Sequence, residues 1–182
     1  MGYLSYILLK PSERIWDMKI ASFYEFSRNL DLESIKFSLT RREDGPNWPL
    51  NKAEGLEVWY RRFLYLSNIY DDKVIVPSKD IDTFWHTHIL DTQKYMSDCE
   101  ALFGRYVHHF PYFGMRGKRD RDQLERAFRE TEELFLLHFG ESPVSVGIAD
   151  CGSLCNEPTP KLDHSALCPN ERPTLAGAEI TH

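Results

Sequence analysis

Lys52 to Tyr70, KAEGLEVWYRRFLYLSNIY, decides the fold class. Leu56, Trp59, Tyr60, Phe63, Leu66 and Tyr70 recur at steps of three and four, so a helix gathers them on one face. Lys52, Glu57, Arg61 and Asn68 fall mostly away from it. So apolar a stripe must be covered by other elements. The flanking segments offer partners of the same period. Residues 12–29 read as a helix that Ser12 can cap, with Trp16, Ile20, Phe23 and Ser27 along it. A second short helix starts near Asp31 and carries Leu32, Ile35 and Leu39. The run Asp44-Gly45-Pro46-Asn47-Trp48-Pro49 then breaks the chain.

Beyond the extended link Val74-Ile75-Val76-Pro77, helical periodicity resumes at Ser78 and runs to Phe103, stopping at Gly104. Ser78 suits the N-cap, and Asp80 and Asp82 suit the positive end of the helix dipole. A last helix spans about Arg119 to Phe139. Leu124, Ala127, Phe128, Thr131, Phe135 and His138 mark its inner stripe, and Gly140 sits where helices often end. The expected architecture is all-α: one helical, bundle-like domain over residues 1–140, with an aromatic and histidine-rich loop at 104–117. The remainder, 141–182, is rich in prolines and small residues and is expected to be a flexible tail.

Composition narrows the function. The chain has 182 residues, of which 42% are hydrophobic, enough for a substantial core. Its net charge of -6 argues against a nucleic-acid footprint, and the basic stretch Arg116 to Arg121 is short and interrupted by Asp120. No apolar run has the length of a membrane span, and the N-terminus lacks the pattern of a signal peptide. A cytoplasmic protein with reduced thiols is therefore expected. Cys151, Cys155 and Cys168 fit no standard zinc spacing, although with His164 they offer a soft-metal or oxidation-sensitive set. Cys99 falls on an apolar stripe, where thiols are usually inert.

Chemistry concentrates in the histidines. His86, His88, His108 and His109 fall within 24 residues. On a regular helix His86 and His88 lie about 200° apart, so they cannot share one ion without distortion. The wheel buries His88 in the apolar cluster, with Asp91 at its edge and Tyr95 further along, and leaves His86 on the far side near Asp82. His108 and His109 point to opposite sides of an extended segment, which Phe110-Pro111 favours. The expected site takes one histidine of each pair. Its candidate ligands are His88, His109, His108, His86 and Asp91, with His138 in reserve, around one divalent Zn, Fe or Cu ion. The competing solution is a core of histidines held by hydrogen bonds alone.

The stretch Val76-Pro77-Ser78, Asp80-Ile81-Asp82, Phe84-Trp85-His86, His88-Ile89-Leu90-Asp91 and Tyr95, Asp98-Cys99-Glu100, Leu102-Phe103-Gly104 resembles the glycine-rich domain-containing protein-like family. Tyr60-Arg61-Arg62-Phe63-Leu64 and His108-His109-Phe110-Pro111-Tyr112-Phe113-Gly114 are similar to its short bacterial form. The likeness spans roughly residues 30–140. It marks the W-H-x-H motif, Trp85 to His88, as the signature but implies no particular reaction. Two functions follow as expectations. One is a small metal-dependent enzyme, an oxidoreductase or hydrolase acting on a small molecule or peptide. The other is a helical binding module with structural histidines and the aromatic loop as its contact surface.

Overall fold

The computed structural model describes residues 11–41, 43, 45–143 and 153–155. Among the described residues six helices make the domain: α1 (Pro11–Ser27), α2 (Glu33–Thr40), α3 (Leu50–Ile69), α4 (Lys79–Leu90), α5 (Thr92–Phe103) and α6 (Lys118–Phe139). The all-α expectation is met. Two three-residue strands interrupt it: β1 (His108–Phe110) pairs antiparallel with β2 (Ser153–Cys155), placing His109 opposite Leu154. Beyond residue 143, the rest of the expected flexible tail, with Cys151, Cys168 and His164, lies outside the described residues.

Helix α3 is the axis of the fold and packs against α1, α2, α4 and α6. Tyr60, Phe63 and Leu66 of the expected stripe are fully buried. Leu64, Tyr65 and Ser67 are buried as well, because α1 closes the other side: Phe23 and Phe26 set their rings edge-on to Tyr65. A helix covered on several sides buries more than one stripe. The core continues through Ile35 and Leu39 of α2, Ile81, Phe84 and Trp85 of α4, Tyr95 of α5 and Phe135 of α6. Each such side chain contributes roughly 1.5–3 kcal/mol on burial. A buried lysine pins the α1–α2 corner: Lys36 pairs with Glu57 at 2.7 Å, while Arg61 of α3 donates to the Ser27 and Leu30 carbonyls.

The single helix expected from Ser78 to Phe103 is two helices, which corrects the sequence reading. In one straight helix, residues ten apart stand about 15 Å apart along the axis. Here Trp85 Nε1 donates to the Tyr95 hydroxyl at 3.0 Å, so α5 must fold back on α4. The joint is Asp91, at φ -82° and ψ 74°, whose side chain accepts from the Lys94 amide and caps α5. An acidic residue that can cap a following turn competes with helix continuation. Periodicity alone does not reveal that competition. Gly104, at φ 65°, then ends α5 and turns the chain toward β1.

The loop after β1 is locked onto α6. Asp120 accepts from the Gly114 amide at 2.7 Å, the Arg116 amide at 3.1 Å and the Arg116 guanidinium at 2.6 Å. Gly114 has φ 88°, and a Cβ there would meet Leu124 Cδ2 at 2.5 Å, so this position needs glycine twice over. Phe110 and Phe113 pack with Val76, Leu124 and Phe128 in a second small core. This lock fixes where β1 lies.

Burial pushes the Asp120 carboxyl upward, but the Arg116 guanidinium and the two amides outweigh it and hold it below the usual range. Asp120→Asn is expected to cost about 1.5–3 kcal/mol at pH 7 by urea unfolding. The sign in acid is set by a depressed folded value. The carboxylate's stabilisation is present above about pH 4 and lost as pH falls through the folded value. The gap between wild type and D120N therefore narrows as pH falls below about 4. A gap that stayed constant would contradict the assignment.

Candidate metal centre

Helix α4 presents two unlike faces. Asp82 and His86 are one turn apart, so their side chains stand together on its outer side. Strand β1 brings His109 over that side, its ring 4.4 Å from the Trp85 ring and 4.5 Å from that of His86, centroid to centroid. His86 Nε2 and His109 Nε2 are 3.0 Å apart. Asp82 Oδ1 lies 3.6 Å from the first and 3.5 Å from the second. These three residues are the one group among the described residues whose ligand atoms converge in this way.

The electrostatics suit a cation. Asp82 is 7% exposed, and its Oδ1 is buried with no hydrogen-bond partner among the described residues. A buried carboxylate oxygen without a partner is costly, and an ion is one remedy. Burial lowers the His86 pKa, His109 lowers it further, and Asp82 opposes both. The neutral imidazole, which is the metal-ligating form, is thereby favoured. The His86 side chain is 42% exposed, so the cluster opens to solvent on that side.

His88 occupies the opposite face and is 1% exposed, as the wheel expects. Both of its nitrogens are engaged. Nε2 lies 3.0 Å from Asp98 Oδ2, and Nδ1 lies 2.9 Å from the Tyr60 hydroxyl. With Nε2 protonated and donating to the carboxylate, Nδ1 accepts from the phenol. Lys94 steadies Asp98 at 3.0 Å. Burial lowers the His88 pKa against the pull of Asp98. The carboxylate beside His88 is thus Asp98 rather than Asp91, which caps α5.

The remaining candidates are dispersed. His108 is exposed and packs on Tyr106, 4.8 Å between ring centroids. His138 bonds the Tyr70 hydroxyl at 2.7 Å through Nε2. One histidine of each pair does meet the other, but the member from α4 is His86. Asp82 was visible in the sequence only as a dipole-compensating residue near His86; the D-x3-H spacing on one helix face was the available signal. A cavity of about 310 Å³, lined by Asp72, Lys73, Val74, Gln123, Arg126 and Ala127 among others, contains none of these residues.

The UCP032817-like family model matches residues 28–133, and the chain belongs to that family. It is 32% identical over 126 residues to Glycine-rich domain-containing protein 1 of Arabidopsis thaliana, covering 59% of this chain and 15% of that protein. It is 28% identical over 117 residues to Glycine-rich domain-containing protein 2 of the same plant, covering 62% of this chain and 14% of that protein. The chain therefore spans about 15% of the length of these relatives. No solved structure matches. All three residues of the cluster, and the His88 chain with them, fall inside the matched segment.

His88→Ala removes the partner of a fully buried phenol and of a largely covered carboxylate. It is expected to lower unfolding stability by roughly 2–4 kcal/mol. A loss under 0.5 kcal/mol in urea melts would show that the Tyr60–His88–Asp98 chain is not a structural tie.

Proposed function

We propose that this chain binds one divalent transition-metal ion through Asp82 Oδ1, His86 Nε2 and His109 Nε2. The observation that carries the reading is the buried, unpartnered Asp82 oxygen facing two imidazole nitrogens. Ligands about 2.0–2.1 Å from one ion stand roughly 2.8–3.6 Å apart for angles between about 90° and 120°. The separations of 3.0, 3.5 and 3.6 Å fall in that window. Two histidines and one carboxylate suit Zn(II) and Fe(II), with Cu(II) a weaker match.

Three protein ligands leave positions for water or substrate, as in catalytic rather than structural centres. The metal would act there as a Lewis acid or a redox partner, and the reading extends to a small cytoplasmic oxidoreductase or hydrolase working on a small molecule or peptide. Within it the W-H-x-H motif divides its labour. His86 is a ligand, His88 anchors the helix that carries it, and Trp85 backs the His109 ring. The helical unit up to residue 140 carries all of these groups. The binding-module alternative draws on the 3.0 Å His86–His109 contact, which is itself a hydrogen bond for two neutral rings.

Metal analysis of untagged protein decides between them. About one equivalent of Zn or Fe is expected in wild type, with affinity reduced at least tenfold in Asp82→Ala and His109→Ala and kept in Cys99→Ala. Less than a tenth of an equivalent of Zn, Fe or Cu after reconstitution would overturn the reading. Because protons compete for the imidazoles, bound metal should be released as pH falls below about 6. The lowered pKa of His86 shifts that release toward acid.

A further inference from the structure

The cluster is connected to the surface by aromatic side chains. The His109 ring meets the buried Trp85 indole edge-on at 4.4 Å. Trp85 Nε1 donates to the Tyr95 hydroxyl at 3.0 Å, and that hydroxyl donates to the Val107 carbonyl at 2.8 Å. The Tyr95 ring meets Tyr106 edge-on at 5.4 Å, and Tyr106 is 40% exposed. Trp85 and Tyr95 are 0% and 2% exposed. From His109 to solvent, each step is therefore a van der Waals contact or a hydrogen bond between oxidisable rings. Burial holds the Tyr95 phenol and the Cys99 thiol in their protonated forms, so neither readily becomes the resting place of a radical. Burial raises the Tyr106 phenol as well, but at 40% exposure it is the outermost ring of the chain.

We propose that this chain of rings supplies an electron to the metal site, making Tyr106 the residue oxidised when the iron(II)-loaded protein meets hydrogen peroxide. The proposal rests on the metal reading above. Peroxide takes up two electrons as its O–O bond breaks. Iron(II) gives one and becomes iron(III). Tyr106 gives the other by way of Tyr95 and Trp85, together with its phenolic proton. The products are one water, one hydroxide and a tyrosyl radical. The effect is protective: the oxidising equivalent leaves the ligands and emerges at a surface tyrosine, where a soluble reductant can return it.

The test loads wild type with iron(II) under nitrogen, records iron per chain, adds equimolar hydrogen peroxide with a nitrone spin trap, and maps adducts by peptide mass spectrometry. Tyr24 is the internal control, because it is 68% exposed and belongs to no such chain. Adduct on Tyr106 is expected to exceed that on Tyr24 at least fivefold, and to fall at least fivefold in Trp85→Phe at equal iron loading. In Tyr106→Phe, an exposed and conservative change, the adduct should be lost without an equal gain on Tyr24. Labelling in proportion to exposure, oxidation confined to His86 and His109, or adduct mainly on Cys99 would each overturn the proposal while leaving the metal reading standing. Failure to bind iron would overturn the proposal, with metal content in the same sample showing that the site itself had failed.

Discussion

One buried imidazole holds the centre of this domain together. His88 joins the Tyr60 hydroxyl of α3 to the Asp98 carboxylate of α5 while belonging to α4 itself. Three helices are thereby tied through a single ring that water cannot reach. Apolar packing of Phe63, Phe84 and Trp85 supplies bulk stabilisation, but it is tolerant of small slips. The imidazole is not, since each nitrogen must meet its own partner in line. The phase of α4 about its axis follows from this tie, and with it the outward direction of Asp82 and His86.

The same tie explains why α4 and α5 must be separate. A carboxylate ten residues beyond His88 cannot reach it along a continuous helix. The break at Asp91 folds α5 back, which at once delivers Asp98 to His88 and Tyr95 to Trp85. Both contacts have the same sequence separation, so one turn satisfies both. Asp120 does a comparable service on the other side, where it fixes the loop that follows β1 and so the strand that carries His109.

Much of this was legible in the sequence, and the lapses have a common cause. The helix of Tyr60 and Phe63, the stop at Gly104 and the final helix are local properties of period and cap, and they read correctly. The burial of His88 and the exposure of His86 also followed from the wheel. The reading of Asp91 as a partner of His88 failed because it assumed an unbroken helix. Asp82 escaped notice as a candidate ligand because an acid in a first turn already has a local explanation in the helix dipole. Its isolation beneath two imidazoles is a tertiary fact, set by where β1 lands.

The three residues of the cluster also differ in when they can meet. Asp82 and His86 are neighbours as soon as one turn of α4 has formed, whereas His109 arrives only after the chain has doubled back through α5 and entered β1. Closing that loop has an entropic cost before any contact is made. On the proposed metal reading, a nascent or partly folded chain would present a two-point grip, and only the finished domain three. An ion held by all three ligands would report on the docking of α4, α5 and β1, and metal scavenged early in synthesis would be held too weakly to trap a misfolded state.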